Sequence, residues 1–267
     1  MSTVTYEARK DFNDRIKSIK DMIAASQKKE EDVLKIMRID TNGLEYKKIL
    51  LAEEMIYQAT LYLTINNVSV ELIKVKNNDS MNDARKAVYK ALIYLEDVVS
   101  NTVDCPYSDL DERLKKISNT PIDKRYYIVR KLGMCIELIV DAFGDNSKWL
   151  QSFVELRGRL TVVAKNFIDM KKGVKDYFDP ASNDHDTTVM YIRLIKKLLE
   201  QSSIEYRQRY ETVTHRQDDI RIAINMLVAE RRIAMLLGES DLSEEIRKRA
   251  VAWKSKMDND EKSGASK

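Results

Sequence analysis

The sequence predicts an all-α protein built from a few long helices. The chain of 267 residues contains only seven glycines and three prolines, the residue types that most often end helices and form turns. The stretch from Asp184 to Leu237 contains neither. Apolar residues recur every three or four positions along most of the chain, which is helical spacing. We therefore expect elongated long-helix bundles or a coiled coil, with two arms joined by a long helix.

The first two helices are predicted from an apolar seam and a turn. Helix one should run from Val4 to Met37, with a seam formed by Phe12, Ile16, Ile19 and Ile23. The polar run from Gln27 to Asp32 should be exposed on all sides or covered only by side-chain stems. Gly43 suits a left-handed cap, and the second helix should extend from Leu44 to Lys76.

Four further helices follow, separated by short polar segments. The third should span Met81 to Val99, and the fourth Ser108 to Ile117 with Ser108 as its N-cap. Pro121 suits the first turn of a fifth helix that ends near Phe143. The sixth should run without a break from Lys148 to Tyr177. The segment from Phe178 to Asp186 is the clearest loop in the chain.

The next segment predicts a single long helix with an exposed middle. Steps of three and four residues from Val189 give a stripe that is mostly apolar at both ends and is interrupted by Ser203 and Gln217. Such a helix would join two separate bundles. We therefore expect a bundle region over residues 1–178, a long helix plus a C-terminal helix over residues 184–257 that link or complete the bundles, and a disordered tail over residues 258–267.

Composition excludes several classes of function. Charged residues make up 33% of the chain, yet 46 Lys and Arg nearly balance 43 Asp and Glu, so we expect no nucleic-acid partner. No apolar run is long enough to predict a membrane span. The N-terminus lacks the apolar segment of a secretion signal, which leaves two alternatives: a cytosolic protein, or a mature chain whose leader has been removed.

The residues that usually carry chemistry are sparse. The two histidines are thirty positions apart, and the common phosphate-binding and nucleophile motifs are absent from the sequence. We therefore expect no enzyme activity, no catalytic residue, no metal and no cofactor. Cys105 and Cys135 would form one disulfide in an exported protein, or remain two buried thiols.

One cluster in the middle of the long helix predicts a partner-binding site. Its six residues are Tyr206, Arg207, Arg209, Tyr210, Arg216 and Arg221. Arginine beside tyrosine suits protein interfaces and anionic partners. The alternative is an ordinary solvated helix face on which the nearby carboxylates neutralise the arginines.

Two stretches, from Tyr94 to Cys105 and from Trp149 to Arg157, resemble the flagellar-coiling proteins that sheath the periplasmic flagella of spirochaetes. The resemblance extends over nearly the whole chain and implies a V-shaped, non-enzymatic structural subunit that coats a filament and influences its shape and motility. Its partners would be the flagellar filament, other sheath proteins and its own copies, and it would be located in the periplasm.

A second functional class stays open beside the sheath protein. A helical adaptor could bind a peptide or phosphopeptide in a groove, and it would be cytoplasmic. The run Lys124-Arg125-Tyr126-Tyr127 is distantly similar to the basic and tyrosine cluster of 14-3-3 proteins.

Overall fold

The computed structural model describes residues 5–144 and 147–264, and every regular element within these ranges is helical. This confirms the all-α class, whereas the elongated shape stays a prediction. The helices are α1 (Tyr6–Ile39), α2 (Leu44–Ile73), α3 (Asn78–Val99), α4 (Tyr107–Lys115), α5 (Ile122–Phe143), α6 (Leu150–Asn166), α7 (Met170–Phe178), α8 (His185–Arg209), α9 (Gln217–Leu236) and α10 (Ser240–Lys262). Val4, the predicted first helical residue, and residues 145–146, in the turn predicted before the sixth helix, lie outside the described ranges.

The chain divides into two compact units, which we describe separately. Unit 1 contains the chain up to Val98 together with Ile128–Leu150, and unit 2 contains Val99–Tyr127 together with the chain from Gln151 onward. The chain passes between the units at three places: at the end of α3, within α5 and at the start of α6. The predicted boundary near residues 178–184 therefore does not separate compact units in this structure.

Unit 1 is organised around α2, which packs against α1. The predicted seam of α1 is confirmed for Ile16, Ile19 and Ile23, which are buried against Leu61 and Ile65 of α2. The side-chain oxygen of Thr5 caps α1 by accepting a hydrogen bond from the backbone of Ala8 at 3.2 Å. Buried residues occupy most of the circumference of α2, and one face of the helix, which includes Tyr57, Thr60 and Thr64, is exposed.

The polar run of α1 is less exposed than the sequence predicts. Glu30 is only 7% exposed. Its carboxylate accepts hydrogen bonds from Lys90 at 3.0 Å and from the Tyr94 hydroxyl at 3.3 Å. Glu54 of α2 is also buried and accepts from Ser26 and Lys29 of α1, each at 2.5 Å. Buried carboxylates with such partners fix how the helices align, because an unpaired charge there would be costly.

Unit 2 has a core formed mainly by α8, α9 and α10. The buried members of this cluster are Tyr206, Tyr210, Ile220, Ala223, Leu227, Ile246 and Trp253. Helix α6 approaches α8 closely at Gly158, since a Cβ atom placed there would lie 2.4 Å from the Tyr206 ring. Thr161 of α6 and Ser202 of α8 share a hydrogen bond of 2.7 Å nearby. The small side chains of α6 therefore allow the two helices to meet.

The predicted single long helix is wrong. Helix α8 ends at Arg209, a π-helical turn covers Tyr210–Thr214, and His215 has a left-handed backbone with φ of 53°. Helix α9 then packs back on α8. The physical reason is that two apolar stripes, separated by a short polar segment, bury more surface against each other than a straight helix would. Threonine and valine near the turn also weaken the helix locally.

Two other predicted boundaries need correction. The sixth helix is interrupted between Asn166 and Met170, where the Asp169 carboxylate accepts hydrogen bonds from the backbones of Lys171 and Lys172 and so starts a new helix. The C-terminal helix continues to Lys262, beyond the predicted start of a disordered tail at residue 258. Residues 265–267 of that tail lie outside the described ranges.

Candidate functional site

The clearest candidate site in unit 1 is an apolar groove between α2 and α5. It has a volume of about 320 Å³, and it is lined by Glu53, Ile56, Tyr57, Thr60, Ile128, Lys131, Met134, Cys135 and Leu138. Met134 is 58% exposed, Leu138 is 52% exposed and Tyr57 is 44% exposed. Large apolar side chains exposed together mark interaction surfaces in soluble proteins. The groove is therefore suited to bind an apolar face of a protein.

Helix α5 forms this groove because it is apolar on two faces. Leu132, Ile136 and Ile139 are completely buried and hold the helix in the core. Met134 and Leu138 lie on the opposite face, where an amphipathic helix would carry polar residues. This second, exposed face of the predicted fifth helix was not predicted from the sequence. The excess of apolar residues over what one buried stripe requires is the signal that could have revealed it.

Charged residues frame the exposed face of α5. Arg130 and Lys131 precede Met134, whereas Glu137 and Asp141 follow it, and all four are exposed. A central apolar contact with a charged rim is the usual arrangement of a protein interface. The face is basic toward its N-terminal end and acidic toward its C-terminal end.

The cysteine at the base of the groove has no reactive character. Cys135 is only 1% exposed, and burial raises the pKa of its thiol to about 12. A thiol with such a pKa is protonated near neutral pH and is a poor nucleophile. Cys105 and Cys135 are both free thiols, so the structure contains no disulfide between them.

The two tyrosines of the predicted partner site belong to the core of unit 2. Tyr206 is 4% exposed and Tyr210 is 2% exposed. The Tyr210 hydroxyl donates to the Asp260 carboxylate at 2.7 Å, which attaches the end of α10 to the α8–α9 corner. The prediction that these tyrosines remain exposed for a partner is therefore wrong. The hairpin between α8 and α9, which sequence periodicity did not reveal, is the physical reason.

The four arginines of that predicted site do not form a common surface. Arg209 is mostly buried, forms an ion pair with the buried Asp219 and lies over the Tyr206 ring. Arg207 donates to Glu211 at 3.0 Å. Arg216 and Arg221 remain more than half exposed, and Asp218 lies within 4 Å of both. The structure thus agrees with the alternative in which neighbouring carboxylates neutralise most of these charges.

A polar cavity of about 250 Å³ in unit 2 is lined by α4, α5, α7 and neighbouring loops. Within it, Lys172 forms ion pairs with Asp176 at 2.6 Å and with Asp184 at 2.5 Å. The guanidinium of Arg125, which is 7% exposed, donates to the backbone carbonyls of Ile117, Thr120 and Phe167. Arg125 therefore stabilises the fold and is not placed to bind a phosphate.

The described residues offer neither a metal cluster nor a membrane-spanning helix. They contain no group of three or more His, Cys, Asp or Glu side chains arranged to hold a metal ion. Among these same residues, no helix is both long enough and apolar enough to cross a membrane.

Comparisons with known proteins identify a family. No curated protein and no solved structure matches the chain. A family model, described as the TP0443 family, matches residues 8–261, which is nearly the whole chain. It represents a family of Treponema pallidum proteins, consistent with the spirochaete origin that the resemblance implies. The chain belongs to the TP0443 family.

Proposed function

We propose that this protein is a non-enzymatic structural subunit that assembles laterally with other proteins through the α2–α5 groove of unit 1. The observation that carries the proposal is the group of three large apolar side chains, Tyr57, Met134 and Leu138, exposed together at this groove. Tyrosine and methionine are enriched at protein interfaces, and a charged rim around an apolar centre fits the same use.

We further propose that the surface on which the subunit assembles is the flagellar filament of a spirochaete, where the protein would form part of a coat or sheath and influence filament shape and motility. Two points support this choice. The sequence resembles flagellar-coiling proteins, and the family is a Treponema pallidum family. The location would then be the periplasmic flagellum.

The alternative is a helical adaptor that binds a peptide in the same groove. An amphipathic helix placed in an apolar groove is a common recognition mode, so the groove favours an apolar peptide over a phosphopeptide. Phosphopeptide binding has less support, because Arg125 is committed to backbone carbonyls and Arg209 to Asp219. In the adaptor alternative the protein would be cytoplasmic.

A sedimentation experiment tests the proposed function. Isolated periplasmic flagellar filaments are incubated with the wild-type protein, with Leu138→Glu, or with a control, Val251→Glu, on α10. Leu138 and Val251 have closely similar exposures, 52% and 53%, so both variants should fold, and circular dichroism checks this. We expect Leu138→Glu to reduce co-sedimentation at least tenfold, because the new charge is desolvated in the contact, and Val251→Glu to bind normally.

Three outcomes would contradict parts of the proposal. Equal binding by wild type and Leu138→Glu would show that the groove is not the filament-binding surface. No binding by either would exclude the filament as the partner. Binding of a synthetic apolar helical peptide in the groove, without any filament binding, would favour the adaptor.

A further inference from the structure

The exposed face of α5 in unit 1 has a pattern that is complementary to itself. Met134 lies at its centre, with Arg130 one helical turn before it and Glu137 nearly one turn after it. At about 100° per residue, Arg130 and Glu137 fall on the same side of Met134. Lys131 and Leu138 fall on the other side, where they line the groove with α2.

We propose that the partner bound by this face is a second copy of the chain, with the two α5 helices antiparallel and related by a two-fold axis through Met134. This inference rests on the proposed function, since it takes the groove face to be an assembly surface. A two-fold axis at Met134 brings Arg130 of each copy beside Glu137 of the other. It also places the aliphatic stem of Lys131 over Leu138 of the other copy.

The positions of the charges favour a second copy over an unrelated protein. In a two-fold interface the same patch is used by both copies, so each residue must suit the residue of that patch that it contacts on the other copy. The antiparallel arrangement creates two Arg130–Glu137 contacts, whereas a parallel pair would place like charges opposite each other. Antiparallel helices also align their dipoles favourably. A partner of unrelated sequence would not require opposite charges spaced about evenly around one apolar residue.

Charge reversal gives a selective test by sedimentation equilibrium of the purified chain. We expect weak self-association, because two single-helix faces form a small interface. Arg130→Glu and Glu137→Arg should each weaken it at least tenfold, since each variant brings like charges together twice. An equimolar mixture of these two variants should associate at least as well as wild type, because both contacts are then between opposite charges. The double variant should also recover association, and Lys254→Glu on α10 is the exposed control.

Cross-linking tests the register independently. In a background with Cys105→Ser, Met134→Cys should form a disulfide-linked dimer under mild oxidation, because residues on the two-fold axis come within disulfide range. Leu138→Cys is the matched control, since it has a similar exposure but would lie about 12 Å along the helix axis from its counterpart, at 1.5 Å per residue. Preferential cross-linking of Leu138→Cys would overturn the register.

The results separate this inference from the proposed function. A wild-type chain that stays monomeric at high concentration, or a mixture of Arg130→Glu with Glu137→Arg that fails to associate, would overturn the two-fold pairing. If Leu138→Glu still abolished filament binding in that case, the groove would remain the assembly surface, but its partner would be the filament alone.

Discussion

The packing of α6 on α8 predicts that Gly158→Ala destabilises unit 2. A Cβ atom at position 158 would lie 2.4, 2.7 and 2.9 Å from three atoms of the Tyr206 side chain. Ordinary carbon contacts are about 3.5 to 4.0 Å, so the ring would have to move by about 1 Å. Tyr206 is buried in the cluster that contains Trp253 and Ile246, which limits such movement.

The sign of the effect distinguishes a buried Tyr206 from an exposed one. Replacing glycine by alanine inside a helix normally stabilises it by about 0.5 to 1 kcal/mol. Overpacking a core costs about 1 to 3 kcal/mol, and three contacts at once place Gly158→Ala toward the upper part of that range. We therefore expect a net loss of about 1 to 2 kcal/mol in the free energy of unfolding. If the Tyr206 ring were free to swing into solvent, the same change would be stabilising.

Urea unfolding monitored by tryptophan fluorescence measures this effect. A Trp149→Phe background leaves Trp253, which belongs to the unit 2 core, as the only tryptophan. Gly173→Ala is the matched control, because its Cβ atom would come no closer than 3.2 Å to any neighbouring atom, at Ile168 Cδ1, and would lie 3.8 Å from Thr188 Cγ2. Tyr206→Leu should remove the penalty of Gly158→Ala in a double-mutant cycle. An increase in stability for Gly158→Ala would refute the packing described for α6 and α8.

Helical periodicity was sufficient to predict most helices of the fold. The seam of α1 and the positions of α2, α3 and α5 follow from apolar spacing together with turns at Gly43 and Pro121. These signals are local, so a single sequence contains them. The break between α6 and α7 was missed because its cause, the cap formed by Asp169, competes with a run of residues that also suits a helix.

The hairpin of α8 and α9 and the groove of unit 1 depend on contacts between distant residues. A polar interruption at Ser203 and Gln217 suits both an exposed helix middle and a turn near Tyr210. The packing of α9 on α8, which buries Tyr206 and Tyr210 in one cluster with Leu227, decides between them. In the same way, the sequence alone does not show whether Met134 and Leu138 face the core or the solvent. That depends on which helices pack against each face of α5. The candidate site therefore lies on α5 and not on the predicted long helix, and this follows from tertiary contacts that the sequence does not show.

The polar contacts of unit 2 yield three further predictions. Arg125→Met should lower the free energy of unfolding by about 3 kcal/mol or more in the urea assay, because it leaves three backbone carbonyls without their buried donor; an unchanged midpoint would contradict this role. Tyr210→Phe should raise the pKa of Asp260 toward its ordinary value in an NMR titration, because the Tyr210 hydroxyl and Lys256 hold that pKa low; an unchanged titration would argue against the hydrogen bond. Glu230 should make stability depend on pH, because burial and the nearby Glu200 carboxylate raise its pKa to about 7. Arg249 and Lys196 oppose this increase, and Glu245 adds to it. The ordinary pKa of this carboxyl is 4.5. The stability that Glu230 contributes in its protonated form is therefore fully present below pH 4.5 and is lost as the pH rises through 7. One pKa unit corresponds to about 1.36 kcal/mol. Glu230→Gln should therefore be up to about 3 kcal/mol more stable than wild type at pH 8 and about equally stable at pH 4.5. The same difference in stability at both pH values would show that ionisation of Glu230 is not the cause.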